Sequence, residues 1–228
     1  MIDMFVVFDA SSLISVGQSC LINTLKELKE KTGHDFVVPE SVFFEVVERP
    51  LRIKRFQLNA VRSKKAVREG WLEVKKLDSR HRQLSKEIEV QANNIISVRG
   101  KPVKLIQRGE AEALALTKQL NAPFLVIDER TTRTIIENPQ QLKSLIERRQ
   151  HKQARLNQSN ANYLKKMFSD LSIVRSVEMI ALAFEKGLAT AELPKTKQGL
   201  EAALYALKYA GCAVSGEEIT AFLTGLGR

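Results

Sequence analysis

Four acidic residues stand at places in this chain where side chains commonly do chemistry. Asp9 ends the apolar run Phe5-Val6-Val7-Phe8 and precedes Ala10-Ser11-Ser12. Asp128 ends a second such run, Phe124-Leu125-Val126-Ile127, and precedes Glu129-Arg130-Thr131-Thr132. Glu45 is set between Phe43-Phe44 and Val46-Val47, and Glu110 opens the small-residue stretch Gly109-Glu110-Ala111-Glu112-Ala113-Leu114. Brought to one place, such carboxylates repel and raise one another's pKa unless a cation or a shared proton intervenes. No histidine or cysteine is patterned beside them, so the donor set is all oxygen, which selects Mg2+ or Mn2+ over zinc. An ion of that kind lowers the pKa of a bound water and stabilises charge building on a phosphodiester during in-line displacement. Each acid also has a plainer use. Asp9 and Asp128 can cap helices, Glu45 can face outward, and Glu110 with Glu112 can complement a helix dipole. Glu112 falls about 200° around the helix axis from Glu110, so the two cannot face the same point.

The elements that must position these acids follow from the hydropathy pattern. Neither apolar run shows polar alternation, which suits strands covered on both faces, as in a central parallel sheet. Ligands of open α/β sheets collect beyond the carboxyl ends of the strands, where Asp9 and Asp128 fall. Ser11 or Ser12 begins the helix after Asp9. Asp35 to Pro39 reads as a second strand stopped by proline, followed by a helix from Val42 to Glu48 that carries Glu45. A basic helical stretch runs from Leu51 to Arg68, Trp71 to Val74 reads as a strand, and a long helix runs from Arg80 to Ile96 until Gly100-Lys101-Pro102 breaks it. Arg130 to Glu137 is helical. Pro139 to Asp170 is polar and basic with a thin apolar stripe, and reads as a helical hairpin projecting from the core, with its turn at Asn157 to Asn160. A strand at Leu171 to Val174 and helices at Val177 to Gly187, Lys195 to Gly211 and Ser215 to Leu226 complete the chain. The division expected is a core over 1–138, a basic helical insertion over 139–170, and a return to the core with closing helices over 171–228.

Bulk properties narrow the class. With 228 residues and 44% hydrophobic content the chain can bury a real core. The formal charge of +10 points to a polyanionic partner, because lysines and arginines that neutralise phosphates release counterions. No window holds the roughly eighteen apolar residues of a membrane span and no secretory leader is seen, so a cytoplasmic protein is expected. Cys20 and Cys212 lack CxxC partners and His34, His81 and His151 are scattered, which argues against a disulfide framework and a zinc site.

The segments FDASSLI, VPESVFFEVV, GEAEALAL and FLVIDERTTR, in that order, resemble the PIN-domain nucleases. The resemblance covers residues 4 to 137 and resumes at Ser172 to Leu226, which includes a helix ending AFEKGLA. It implies a three-layer α/β/α domain with a central parallel sheet and a helical insertion. It also implies an endoribonuclease that hydrolyses RNA with Mg2+ or Mn2+, leaves 5'-phosphate and 3'-hydroxyl ends, often dimerises, and is often the toxin of a toxin/antitoxin pair. Carried over residue by residue, Asp9, Glu45, Glu110 and Asp128 are the catalytic and metal-holding acids, with Asp9 and Asp128 holding the ion most directly. Ser11 is the supporting hydroxyl, and Glu112 and Glu129 are the alternatives if the local register differs. Family members often carry Asp where Glu110 stands. The small residue and Thr usual after the last strand are replaced around Arg175 and Ser176, a departure at an expected phosphate or metal contact. Arg148, Arg149, Lys152, Arg155, Lys165 and Lys166 of the insertion are expected to contact the RNA backbone. One rival is a catalytically silent PIN-fold module that docks RNA or a protein partner such as an antitoxin. A phosphatase of the haloacid-dehalogenase type is disfavoured, because Ser11 stands where its second Asp belongs.

Overall fold

Strands buried on both faces need helices above and below them, and alternate residues of each strand supply the two faces. The computed structural model describes residues 4–188 and 192–225; Ala189 of the AFEKGLA segment and Leu226, the expected end of the last helix, lie outside the described residues. The chain begins with β1 (Phe5–Phe8), α1 (Ala10–Gln18), α2 (Ile22–Thr32) and β2 (Asp35–Pro39). Next come the short α3 (Glu40–Phe43), a π-helical turn (Phe44–Glu48), a 3-10 turn (Pro50–Arg52), α4 (Gln57–Arg68) and β3 (Leu72–Lys75). α5 (Ser79–Asn93), β4 (Ile96–Val98), β5 (Lys101–Pro102), α6 (Arg108–Leu120), β6 (Phe124–Val126) and α7 (Arg130–Glu137) follow. The remainder is α8 (Pro139–Gln150), β7 (Ala154–Leu156), α9 (Gln158–Met167), β8 (Ser172–Val174), α10 (Ser176–Glu185), α11 (Lys197–Ala210) and α12 (Gly216–Gly225).

The central sheet runs β3-β2-β1-β6-β8 with every pairing parallel. Val6, Phe8, Phe36 and Val38 enter one buried cluster with residues of α1, α2, α10, α11 and α12. Val7, Val37, Leu125 and Ile127 enter the other, with residues of α5 to α9. The result is the expected three-layer α/β/α arrangement. The chain winds outward from β1 through β2 to β3 on one side and through β6 to β8 on the other. Winding therefore reverses between β1 and β6, which opens a crevice at their carboxyl ends. Among the described residues no helix is long and apolar enough to cross a membrane.

Two expectations about the periphery change. The helix expected to run through Ile96 stops at Asn93, whose side-chain carbonyl accepts from Leu105 N and Ile106 N while its amide donates to Ile106 O. Ile96 then starts β4, which pairs antiparallel with both β5 and β7. β7 belongs to the basic segment, where two helices and a turn were expected. The segment does not project. Leu142, Ile146, Ala154, Ala161, Leu164 and Phe168 lie in the same buried cluster as Val7 and Leu125. A thin apolar stripe is enough to bind these helices once β7 supplies backbone pairing to β4.

Candidate active site

The crevice between β1 and β6 is tied together by two serines. Asp9 is the N-cap of α1 and is 3% exposed. Its Oδ2 accepts from Ser11 N at 3.0 Å and from Ser11 Oγ at 2.8 Å, and Asp128 N donates to Ser11 Oγ at 3.0 Å. Ser12 Oγ lies 2.9 Å from Asp9 O and 3.1 Å from Val126 O, so it joins the two strand ends. The helix thus begins at Ala10, one residue before the serines expected to start it. Capping and crevice placement turn out to be compatible uses of one carboxylate. Burial raises the pKa of Asp9 above the carboxylate range, Ser11 opposes this, and the charge of Glu129 adds to it.

Glu45 arrives by a route the hydropathy pattern does not show. The expected regular helix from Val42 to Glu48 widens into a π turn, in which Arg49 N donates to Phe44 O at 2.9 Å, five residues back. Such single-turn bulges recur at functional sites. Glu45 is exposed, yet the protein around it and then the charge of Asp9 raise its pKa, while Arg49 opposes them. Its carboxylate sits against the start of α6, where a Cβ added at Gly109 would come within 3.2 Å of Glu45 Oε2. Gly109→Ala is therefore expected to displace this carboxylate and slow any reaction that depends on it about tenfold. Stability should hold or rise by up to about 1 kcal/mol, because alanine is the better helix residue. Rate and denaturation measurements on one preparation check both halves.

Glu110 occupies the third position of α6, where its Oε2 accepts from Gln107 N in a capping box. Burial lifts its pKa to about 7; the Gln107 amide opposes this, while Asp9, Glu129 and Glu45 add to it in that order. Glu112, on the other side of the helix, accepts from Arg108 Nε at 2.6 Å and forms an ion pair with it.

Asp128 and Glu129 exchange the places expected of them. Leu125 and Ile127 face one core cluster and Val126 the other. Alternation then carries Asp128 toward α10. There its Oδ1 accepts from Ser176 N at 2.7 Å and its Oδ2 from Ser176 Oγ at 2.6 Å, at 1% exposure. Its backbone carbonyl accepts from Ala213 N at 3.0 Å. Burial and then the Asp128 charge push the Cys212 thiol up to about 12. Glu129, not Asp128, caps α7, accepting from Thr132 N at 2.9 Å, and its charge is the one felt at Asp9 and Glu110. The acids coupled at the crevice are thus Asp9, Glu45, Glu110 and Glu129. Alternation along β6 was the available signal for this swap.

Arg175 and Ser176, where a weakened phosphate or metal contact was expected, have structural partners. Arg175 is buried; it forms ion pairs with Glu178 and Glu218, and its Nη1 donates to Ala213 O at 3.0 Å. Ser176→Ala should leave Asp128 Oδ2 without its hydroxyl donor and lower stability by about 1–3 kcal/mol. Chemical denaturation of the variant measures the loss, and an unchanged midpoint would remove Asp128 from the structural account.

Arg148, Arg149, Lys152, Arg155, Lys165 and Lys166 are all exposed, but they share no element with the acid cluster. Nearer to hand is a groove of about 800 Å³ bordered by Glu40, Phe44, Glu45, Arg49, Arg108 and Gly109. Among the described residues no three Asp, Glu, His or Cys side chains are gathered tightly enough to hold a metal ion as they stand. Glu110 and Glu129 have turned to backbone amides and Asp9 to Ser11, the partners that mutually repelling carboxylates take. The donor set is nonetheless all oxygen and mutually destabilised, which fits a hard divalent cation. Against known proteins, residues 5–145 match a family model described as a PIN domain. No curated protein and no solved structure matches the chain.

Proposed function

From the premise that this chain belongs to the PIN-domain family, whose fold is of nuclease type, we propose that it is an endoribonuclease dependent on Mg2+ or Mn2+. The observation that carries this reading is the convergence of charge at the crevice. Asp9, Glu45 and Glu110 all have raised pKa values, and each feels another acid of the cluster, with no cation among the causes at Asp9 or Glu110. Asp9, Glu45, Glu110 and Glu129 would hold the ion. Asp128, the fourth acid by resemblance, instead fixes the floor of the crevice through Ser176. A bound Mg2+ or Mn2+ supplies an activated water and neutralises charge on the scissile phosphate. Ser11 holds Asp9 in place and links it to the Asp128 backbone. Arg49 and Arg108, on the rim of the groove, bind the RNA backbone, where contacts position without reading sequence. The six basic residues of the 139–170 segment extend that backbone contact. A role as the toxin of a toxin/antitoxin pair, acting as a homodimer, belongs to the same reading.

The test is cleavage of end-labelled single-stranded and hairpin RNA in chelator, Mg2+ and Mn2+. Cutting only with the ions supports the nuclease. A silent module that binds RNA or a protein partner is the second reading, favoured by the turning of Glu110 and Glu129 to backbone amides. Binding without cutting under every metal would select it.

A further inference from the structure

Beside the acid cluster lies a second, smaller hollow of about 240 Å³ whose floor is apolar: Leu13, Ile14, Val46, Pro50, Ile53 and Phe56. Glu45 and Arg49 line both this pocket and the polar groove, so the two open onto the same acid. We propose that this pocket receives a single unstacked nucleobase of the RNA, next to the phosphate being cut, and that Gln18 and Asn59 read its edge. The inference rests on the nuclease reading above and adds a determinant of base preference.

Four features of the pocket favour a base over other occupants. Its volume falls below the ~300 Å³ at which pockets for drug-sized ligands begin, and suits one planar ring system. Its walls are apolar while Gln18 and Asn59 bring side-chain amides, each with a donor and an acceptor face, as the edge of a base requires. Recognition of RNA by sequence works mainly on bases splayed from single strands, stacked on aromatic rings and paired at their edges. Phe56 is the aromatic here, 40% exposed, with the Arg55 guanidinium 5.6 Å from its ring centroid. The charge around the mouth also fits a nucleotide. Arg49, Arg52, Lys54 and Arg55 are all exposed on the segment that forms one wall. A strand whose base enters the pocket would lay its phosphates along these cations. The π turn that presents Glu45 also carries Val46 into the floor, so a single backbone device sets both the acid and the subsite.

The test uses a short RNA carrying one abasic nucleotide at each successive position, with binding to the intact protein measured in chelator so that nothing is cut. Wild type should lose about tenfold in affinity at one position and little elsewhere. Phe56→Ala should bind intact RNA about tenfold more weakly and should no longer discriminate that abasic position. Asn59→Ala should keep the affinity within a few-fold while flattening the preference for one base there. Phe56 and Asn59 lie outside the acid cluster, and thermal melts of both variants check that they fold. Equal tolerance of abasic sites at every position would overturn the proposal and leave the nuclease reading standing, as expected if the pocket instead takes an apolar side chain of a protein partner. RNA that is neither bound in chelator nor cut with Mn2+ would overturn both.

Discussion

Asp9→Asn is expected to leave the protein folded and to slow metal-dependent RNA cleavage roughly a thousandfold, the rate equivalent of about 4 kcal/mol. Asparagine is as good an N-cap as aspartate, and its side-chain carbonyl can keep accepting from Ser11 N. What it removes is the negative charge. That charge is already disfavoured in the metal-free protein, because burial and Glu129 raise the pKa of Asp9 above its unfolded value. The penalty is absent below the unfolded pKa and fully present once the pH exceeds the folded one, so Asn at this position should raise the metal-free melting temperature at neutral pH. Added Mn2+ should stabilise wild type by mass action and the variant far less. Faster melting with slower cutting would point to a merely damaged fold. Cleavage within tenfold of wild type would remove Asp9 from the mechanism.

The metal-free protein is also expected to lose stability as the pH rises from about 4.5 to 7. Glu110 contributes to this loss, with its folded pKa raised from 4.5 to about 7. Between those values the folded state binds the extra proton, so the slope of unfolding free energy with pH is negative. Glu110 alone should contribute about 2 kcal/mol across the window, after allowance for solvent screening at a partly exposed carboxyl. Glu45, Asp9 and Glu137 act in the same sense. Glu218, held at about 2 with help from Ser215 and Arg175, acts in the opposite sense, but its contribution is lost only as the pH falls below 4.5, outside this window. Denaturation at pH 5 and pH 7.5 in chelator reads the difference, which Glu110→Gln should shrink and saturating Mn2+ should flatten. Stability that rises across the window in wild type would mean the acids do not crowd one another as drawn.

Much of the architecture was legible in the order of the residues. Uninterrupted apolar runs at Phe5 to Phe8 and Phe124 to Ile127 suit strands covered on both faces, and a parallel sheet with helices on both faces accommodates them. Of the acids read at the strand exits, Asp9 stays at the crevice, where it is an electrostatic neighbour of Glu45 and Glu110. These readings succeed because the covering of strand faces is a local property, written in period-two and helical spacing.

The tertiary structure decided the rest. Asp128 and Glu129 are adjacent acids of the same chemical class, and what separates them is Ser176, delivered from 48 residues away to take both Asp128 oxygens. Arg175 became a buried anchor because Glu218 and Ala213 reach it from the far end of the chain. β4 and β7 are each too short to show a period, and they are strands only because they pair. The π turn at Glu45 adds one residue to a helical ring without altering which residues are apolar. Except at the π turn, whose bond from Arg49 N to Phe44 O is local, the deciding partner is distant in sequence, and backbone and side-chain donors choose their acceptors only after the layers have closed.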